Sequence, residues 1–244
     1  MYAALNIHSY YSIGWGVVSP EKLCETAREY NCHSLAMTDT NNLCGLYFFL
    51  DFAKACGIKP IIGAELVAFE QRLTLLVRTR QGYSNLCRLI SKVKLDSSFR
   101  IDSVLSEDFD GLVVLSDSCS FVEQNYNRIE HLYAEIVCGE PIVKLLRLAR
   151  RLGVKPVAST RAFWVEDDDQ ILHRLNRAIA LNCTLHDLSK GSCASPKSRF
   201  LSEEEMRVEF DFCSEAVDNT IEVAELCDWK PDFGIIYPEV DAGL

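Results

Sequence analysis

Apolar residues recur along the chain at two different spacings, and this alternation predicts the order of strands and helices. Short apolar runs such as LVVLS at 112–116 are typical of buried strands, whereas DDQILHRLNRAIAL at 168–181 has helical spacing. The predicted strands are a short one ending near residue 8, then 34–38, 59–69, 72–77, 112–116, 132–137 and 156–159. The predicted helices are 19–30, 43–56, 82–93, 141–152, 168–181, 202–210 and 214–227. Strands separated by helices predict a parallel α/β sheet with crossover helices, open or closed into a barrel.

Length and charge narrow the functional classes. The 244 residues suit one large α/β domain or two small ones, and the net charge is −10. This charge argues against a basic nucleic-acid face, so we expect weak or no direct DNA binding. The sequence has no apolar run of 18 residues and no basic segment after Met1. We therefore expect no membrane span, no signal peptide and a cytoplasmic location.

The eleven cysteines do not form a metal or disulfide pattern. Their number is odd and no C-x-x-C pair occurs. Most lie within apolar segments, as Cys87 does in NLCRLI. We interpret them as free thiols of a protein in a reducing compartment.

Polar residues at strand ends give a candidate site, because function in such folds gathers where strands end. Asn6 and His8 stand two apart and so face the same way, Asp39 follows SLAMT, and Glu65 lies in the next strand. His8, Asp39 and Glu65 could together hold a divalent ion, although Asn6 is a poor ligand. Each also has a simpler role: a hydrogen-bonded structural histidine, a helix cap, or a solvated or arginine-paired carboxylate. Spacing alone leaves both interpretations open.

The order of several segments resembles a known family. These segments include LNIHSYYS, LAMTDTNN, GIKPIIGAEL, DGLVVLSD, LARRLGVKPVAS, FLSEEEM and EAVDNTIEVAELC. Together they are similar to the PHP (polymerase and histidinol phosphatase) domain, in the form found at the N-terminus of bacterial DNA polymerase III α subunits and their error-prone relatives. The resemblance implies a distorted (β/α)7-type barrel over residues 1–230. It also implies that 231–244 form a C-terminal tail that begins a connection to a polymerase region.

The family's metal ligands are incompletely retained. Its H-x-H has become Asn6-Ile7-His8, its T-D-H has become Thr38-Asp39-Thr40, and its D-x-H has become Arg161-Ala162-Phe163. The positions of this vestigial metal cleft are Asn6, His8, Asp39, Thr40, Glu65, Arg72, Ser118, Arg161 and Phe163. Only His8, Asp39 and Glu65 keep the family's residue, so the resemblance implies no bound metal, no cofactor and no catalytic residue.

Two of the lost ligands have become arginines. Arg72 and Arg161 could supply positive charge and pair with the carboxylates of Asp39 and Glu65. Alternatively, both arginines point to solvent on the barrel rim. The sequence leaves these alternatives open.

The resemblance implies a non-catalytic PHP domain of a DNA polymerase III α-type protein, in replication or translesion synthesis. Its role would be a scaffold for the polymerase region and a docking surface, for example for a proofreading exonuclease. The alternatives are a metal-dependent phosphoesterase or 3′–5′ exonuclease with an altered ligand set, and a stand-alone binding protein that keeps only the barrel.

Overall fold

A computed structural model describes residues 1–69 and 71–232, with Lys190 described by its backbone alone. Within these residues, one seven-stranded sheet follows the order of the chain. The strands are β1 (Ala3–Ile7), β2 (Ser34–Met37), β3 (Lys59–Ala68), β4 (Gln71–Val77), β5 (Leu112–Ser116), β6 (Leu132–Val137) and β7 (Pro156–Ser159). The helices are α1 (Pro20–Glu29), α2 (Leu46–Cys56), α3 (Arg80–Leu95), α4 (Cys119–Asn125), α5 (Val143–Leu152), α6 (Asp169–Ala180), α7 (Glu203–Glu209) and α8 (Ser214–Leu226).

The sheet curves into a nearly closed barrel because its first strand meets the segment after its last. The amide of His8 donates to the carbonyl of Ala162 at 2.8 Å, and the amide of Ala162 donates to the carbonyl of Asn6 at 3.1 Å. The predicted (β/α)7-type barrel is therefore confirmed. This closure also brings Arg161 next to the end of β1.

The expectation of an all-parallel sheet is wrong at β4, which runs antiparallel to both β3 and β5. Only residues 69 and 70 separate β3 from β4. A parallel connection needs a crossover of a dozen residues or more, whereas two residues suffice for a hairpin. The hairpin places Thr74 directly opposite Glu65.

Every predicted helix is present, with ends shifted by up to three residues. α2 begins at Leu46 rather than 43, and α3 begins at Arg80 rather than 82. The short helix α4 was not predicted from the sequence. Of the predicted tail, residues 233–244 lie outside the described part. None of the described helices combines the length and apolar character needed to cross a membrane.

The barrel interior has an apolar layer near the amino ends of the parallel strands. Leu5, Ile61, Tyr133 and Val157 belong to this layer, and α8 packs against it through Val223. Because side chains alternate along a strand, further inward positions lie nearer the carboxyl edge. Glu65 and Glu135 are buried carboxylates at such positions, and they belong to the candidate site.

Candidate functional site

Arg161 is the centre of a buried charged cluster. Its side chain is 8% exposed, and it lies two residues beyond the inward-facing end of β7. Its Nε is 3.2 Å from Oε1 of Glu65, and its Nη2 is 2.7 Å from Oδ2 of Asp117 and 3.7 Å from Oε2 of Glu135. The Nε–H does not point along a hydrogen bond to Glu65, so this contact is an ion pair only. One guanidinium thus links β3, β6 and the end of β5.

The electrostatics of this cluster favour a permanently charged arginine. Burial lowers the pKa of Arg161, but Glu135, Glu65 and Asp117 outweigh burial and raise it above the usual arginine value. Burial raises the pKa of Glu135, and Arg161 opposes this effect. Arg161 also has a left-handed backbone, with a φ of +48°, which costs energy in a residue other than glycine. The site therefore holds a strained residue in place through its ion pairs.

Asn6 connects the strands through hydrogen bonds rather than through a ligand role. Its Nδ2 donates to Oγ1 of Thr74 and to Oε1 of Glu135, both at 2.8 Å. Its Oδ1 accepts from Oγ1 of Thr38 at 2.9 Å. Both ends of the amide therefore form hydrogen bonds, to Thr38 directly after β2 and to residues of β4 and β6.

The Asp39 carboxylate is satisfied by hydrogen bonds, and not by the arginine pairing that the sequence left open as one alternative. Its Oδ1 accepts from the amide of Ser9 at 2.8 Å and from Oγ of Ser12 at 2.7 Å. Its Oδ2 accepts from Oγ of Ser9 at 2.7 Å. Three donors of the loop after β1 thus stabilise the carboxylate. This loop, and no arginine among the described residues, is what satisfies Asp39.

His8 is fully buried beside the cluster. Its ring stacks on Phe163 with centroids 4.3 Å apart, and its Nδ1 lies 3.0 Å from Oγ of Ser12. Its Nε2 is 3.9 Å from Oε2 of Glu65 and has no hydrogen-bond partner among the described residues. Burial lowers the pKa of His8 to about 3; Asp39 opposes this shift, and Arg161 and Arg72 add to it. The imidazole is therefore neutral at pH 7.

The remaining predicted positions contribute less. Arg72 lies 3.4 Å from Oε1 of Glu65, but 34% of its side chain is exposed. Thr40 contacts the same carboxylate through Oγ1 at 3.4 Å. Ser118 lies outside the cluster, because its Oγ accepts from the amide of Phe121 and caps α4.

Two central residues were missed by the sequence analysis. Glu135 lies within LYAEIV, where apolar neighbours indicated only a buried strand, yet it faces inward two residues after Tyr133. Asp117 directly follows β5, one position before the predicted Ser118. An isolated carboxylate in an apolar strand was the available signal, because burying a charge requires a partner.

The donor set does not match what a divalent metal needs. The amide of Asn6 and the carboxylate of Asp39 are engaged by protein hydrogen bonds, and Phe163 has no donor atom. Arg161 places a positive charge against Glu65, where it would repel a metal ion. In residues 1–69 and 71–232, no three His, Cys, Asp or Glu side chains are arranged to hold a metal.

Comparison with known proteins relates the chain to one domain family and to much longer proteins. The PHP domain family matches residues 4–137. The chain is 30% identical to DNA polymerase III subunit alpha of Escherichia coli K12, over 91% of this chain and 22% of that protein. It is 29% identical to the same subunit of Vibrio cholerae, with the same two coverages. The chain thus spans about one fifth of the length of these relatives.

Solved structures show more distant similarity. One is a two-domain protein from Bacteroides vulgatus that contains a predicted PHP-like metal-dependent phosphoesterase. It is 10% identical with a TM-score of 0.45, and the match covers 67% of this chain and 52% of that one. Similarity at this level says nothing about activity. The family match over more than half of the chain, by contrast, is decisive: the chain belongs to the PHP domain family, in the form related to part of the DNA polymerase III α subunits.

Proposed function

We propose that this PHP domain is non-catalytic and serves a DNA polymerase III α-type protein as a structural and protein-docking domain. The observation that carries the non-catalytic assignment is the Arg161 cluster. There a guanidinium supplies the positive charge that a metal ion would otherwise supply. Similarity to polymerase subunits over 91% of the chain supports the assignment to a polymerase α-type protein.

The proposal predicts that the purified protein holds no stoichiometric zinc, manganese or iron. Elemental analysis of protein prepared without chelator measures this directly. A ratio near two or three metal ions per chain would contradict the proposal, because such a cluster is incompatible with Arg161 in its observed place.

The same reasoning predicts no phosphatase or 3′–5′ exonuclease activity in the presence of added divalent ions. Assays of the wild type beside His8→Ala and Glu65→Ala variants separate a contaminating enzyme from intrinsic activity. Activity that disappears in both variants would favour the alternative, a hydrolase with an altered ligand set.

The outer face of α6 supports a docking role. Ile171, Leu175 and Ile179 follow one another at helical spacing, and Ile171 and Ile179 are 64% and 69% exposed. The opposite face is polar yet buried: Nε2 of His173 accepts from the amide of Ala194, and Nε of Arg177 donates to the carbonyl of Ser192. A helix that is apolar on its solvent side is typical of an interface element.

We assign this face to the polymerase region of the same or a related chain. The relatives extend far beyond the matched part, since this chain spans only 22% of their length. Co-purification with the polymerase region from the same organism tests the assignment. Ile179→Lys is expected to reduce recovery of the complex, whereas Val208→Lys, at an equally exposed position on α7, is expected to leave it unchanged. Equal recovery of both variants would rule out this face.

DNA binding by this domain alone is expected to be weak because the net charge is −10. Its non-specific dissociation constant at physiological salt should be no tighter than about 10⁻⁴ M. Fluorescence anisotropy with single- and double-stranded DNA measures it. Micromolar binding with a steep salt dependence would reveal a basic face and favour the exonuclease interpretation.

A further inference from the structure

A polar cavity lies at the opposite end of the barrel from Arg161. It has a volume of about 70 Å³ and is bounded by the end of β4, the start of β5 and the turn before β6. The amides of Arg78 and Thr79 both donate to the carbonyl of Gly111, which fixes Arg78 at this edge. Leu112 and Ile129 supply apolar wall.

Two residues that line this cavity each have a buried nitrogen without a hydrogen-bond partner. Nε of Arg78 and Nε2 of His131 have no hydrogen-bond partner among the described residues. Both residues line the cavity, as does Arg128. A buried donor left unpaired costs free energy, so such atoms indicate a missing acceptor.

The charges around the cavity indicate which acceptor fits. A guanidinium has only donors, which excludes a metal ion and favours a ligand rich in oxygen lone pairs. Burial, together with Arg78, lowers the pKa of His131, so its ring is neutral at pH 7 and can donate from Nε2. Asp110 and Glu130 also line the cavity; the Glu130 side chain is 83% exposed, with Oε1 3.4 Å from His131 Nε2. An incoming anion could displace this exposed carboxylate into solvent.

We propose that this cavity is a binding site for a phosphate-type oxyanion, held by Arg78 and His131 with Arg128 at the entrance. A volume of about 70 Å³ equals roughly five water-sized spheres, which is room for one tetrahedral oxyanion. The planar fork of arginine matches two oxygens of a phosphoryl group. The ligand is either free phosphate or the phosphoryl group of a nucleotide, which share this chemistry.

The experiment measures thermal unfolding of the purified chain while inorganic phosphate is titrated at constant ionic strength with chloride. If phosphate binds the folded state selectively, the midpoint temperature of unfolding rises with phosphate concentration and follows a saturation curve. Arg78→Gln is expected to weaken the apparent affinity about tenfold or more, since it removes the charged donor. Arg174→Gln, which changes an exposed arginine of α6, is expected to leave the affinity unchanged.

Two additions make the outcome decisive. His131→Gln tests the second donor if Arg78→Gln does not fold, and it too is expected to weaken binding. A parallel titration with a nucleoside monophosphate distinguishes the two sources: binding of phosphate alone assigns the free ion, and tighter binding of the nucleotide assigns its phosphoryl group. No saturable shift beyond chloride, or an equal shift in the variants and the wild type, would overturn the proposal.

Discussion

Arg161→Ala is expected to lower the free energy of unfolding by about 3–5 kcal/mol, the cost of removing one side of a buried ion pair. Glu65 and Glu135 are each only 2% exposed, and both lie within 4 Å of the guanidinium. Without Arg161, the two carboxylates would face each other in a dry layer with no nearby buried cation. Alanine at position 161 is strained by the positive φ in the same way as arginine. The substitution therefore relieves no backbone strain that would offset the lost ion pairs. Urea unfolding at pH 7 measures the change.

Arg72→Ala is the matched control for this prediction. Arg72 contacts the same Glu65 oxygen as Arg161, but a third of its side chain is exposed. Solvent screening should limit its cost to less than about 1 kcal/mol. A double-mutant cycle of Arg161→Ala with Glu65→Gln is expected to show strong coupling, whereas a cycle with Asp39→Asn is expected to show little. An unchanged midpoint for Arg161→Ala, with no coupling to Glu65, would show that the buried pairing does not exist in solution.

The order of strands and helices could be predicted because its information is local, whereas these patterns left open whether the sheet closes, and the barrel was implied by the family resemblance. Apolar runs gave six of the strands, and the helical spacings gave every helix except the seven-residue α4. The direction of β4 was not predicted, although a gap of two residues between two predicted strands is itself a hairpin signal. Crossover connections were assumed for every strand, and the length of this one connection contradicts that assumption.

The site was only partly predictable because its partners come from distant segments. The arginines were found by their positions relative to family ligands, yet Arg161 pairs with Asp117 and Glu135, which that comparison did not include. An arginine was one of the partners considered for Asp39, whereas Ser9 and Ser12 satisfy it from a loop about thirty residues away. These hydrogen bonds depend on the conformation of the loop after β1, which cannot be predicted from residue spacing.

His8 should make the protein sensitive to acid. Its pKa in the folded state is about 3, and an ordinary histidine in the unfolded chain titrates near 6.5. Between these values the unfolded state binds a proton that the folded state does not. The stability that depends on a neutral His8 is therefore fully present above pH 6.5 and is lost as the pH decreases toward 3. The direction is opposite to that of a histidine stabilised by a carboxylate.

The acid sensitivity can be assigned to His8 by comparing variants. Between pH 7 and 4.5, the protonation linked to His8 should lower the free energy of unfolding of the wild type by about 3 kcal/mol. His8→Gln is expected to remove most of that loss, because its amide stays neutral in both states, even if the variant is less stable at pH 7. His33→Gln, which changes an exposed histidine, is expected to keep the dependence of the wild type. The unfolding free energy of each protein, measured by urea titration at several pH values, provides the comparison. Parallel curves for the wild type and His8→Gln would mean that the imidazole gains a proton in the folded barrel, and hence that the layer around Arg161 admits water.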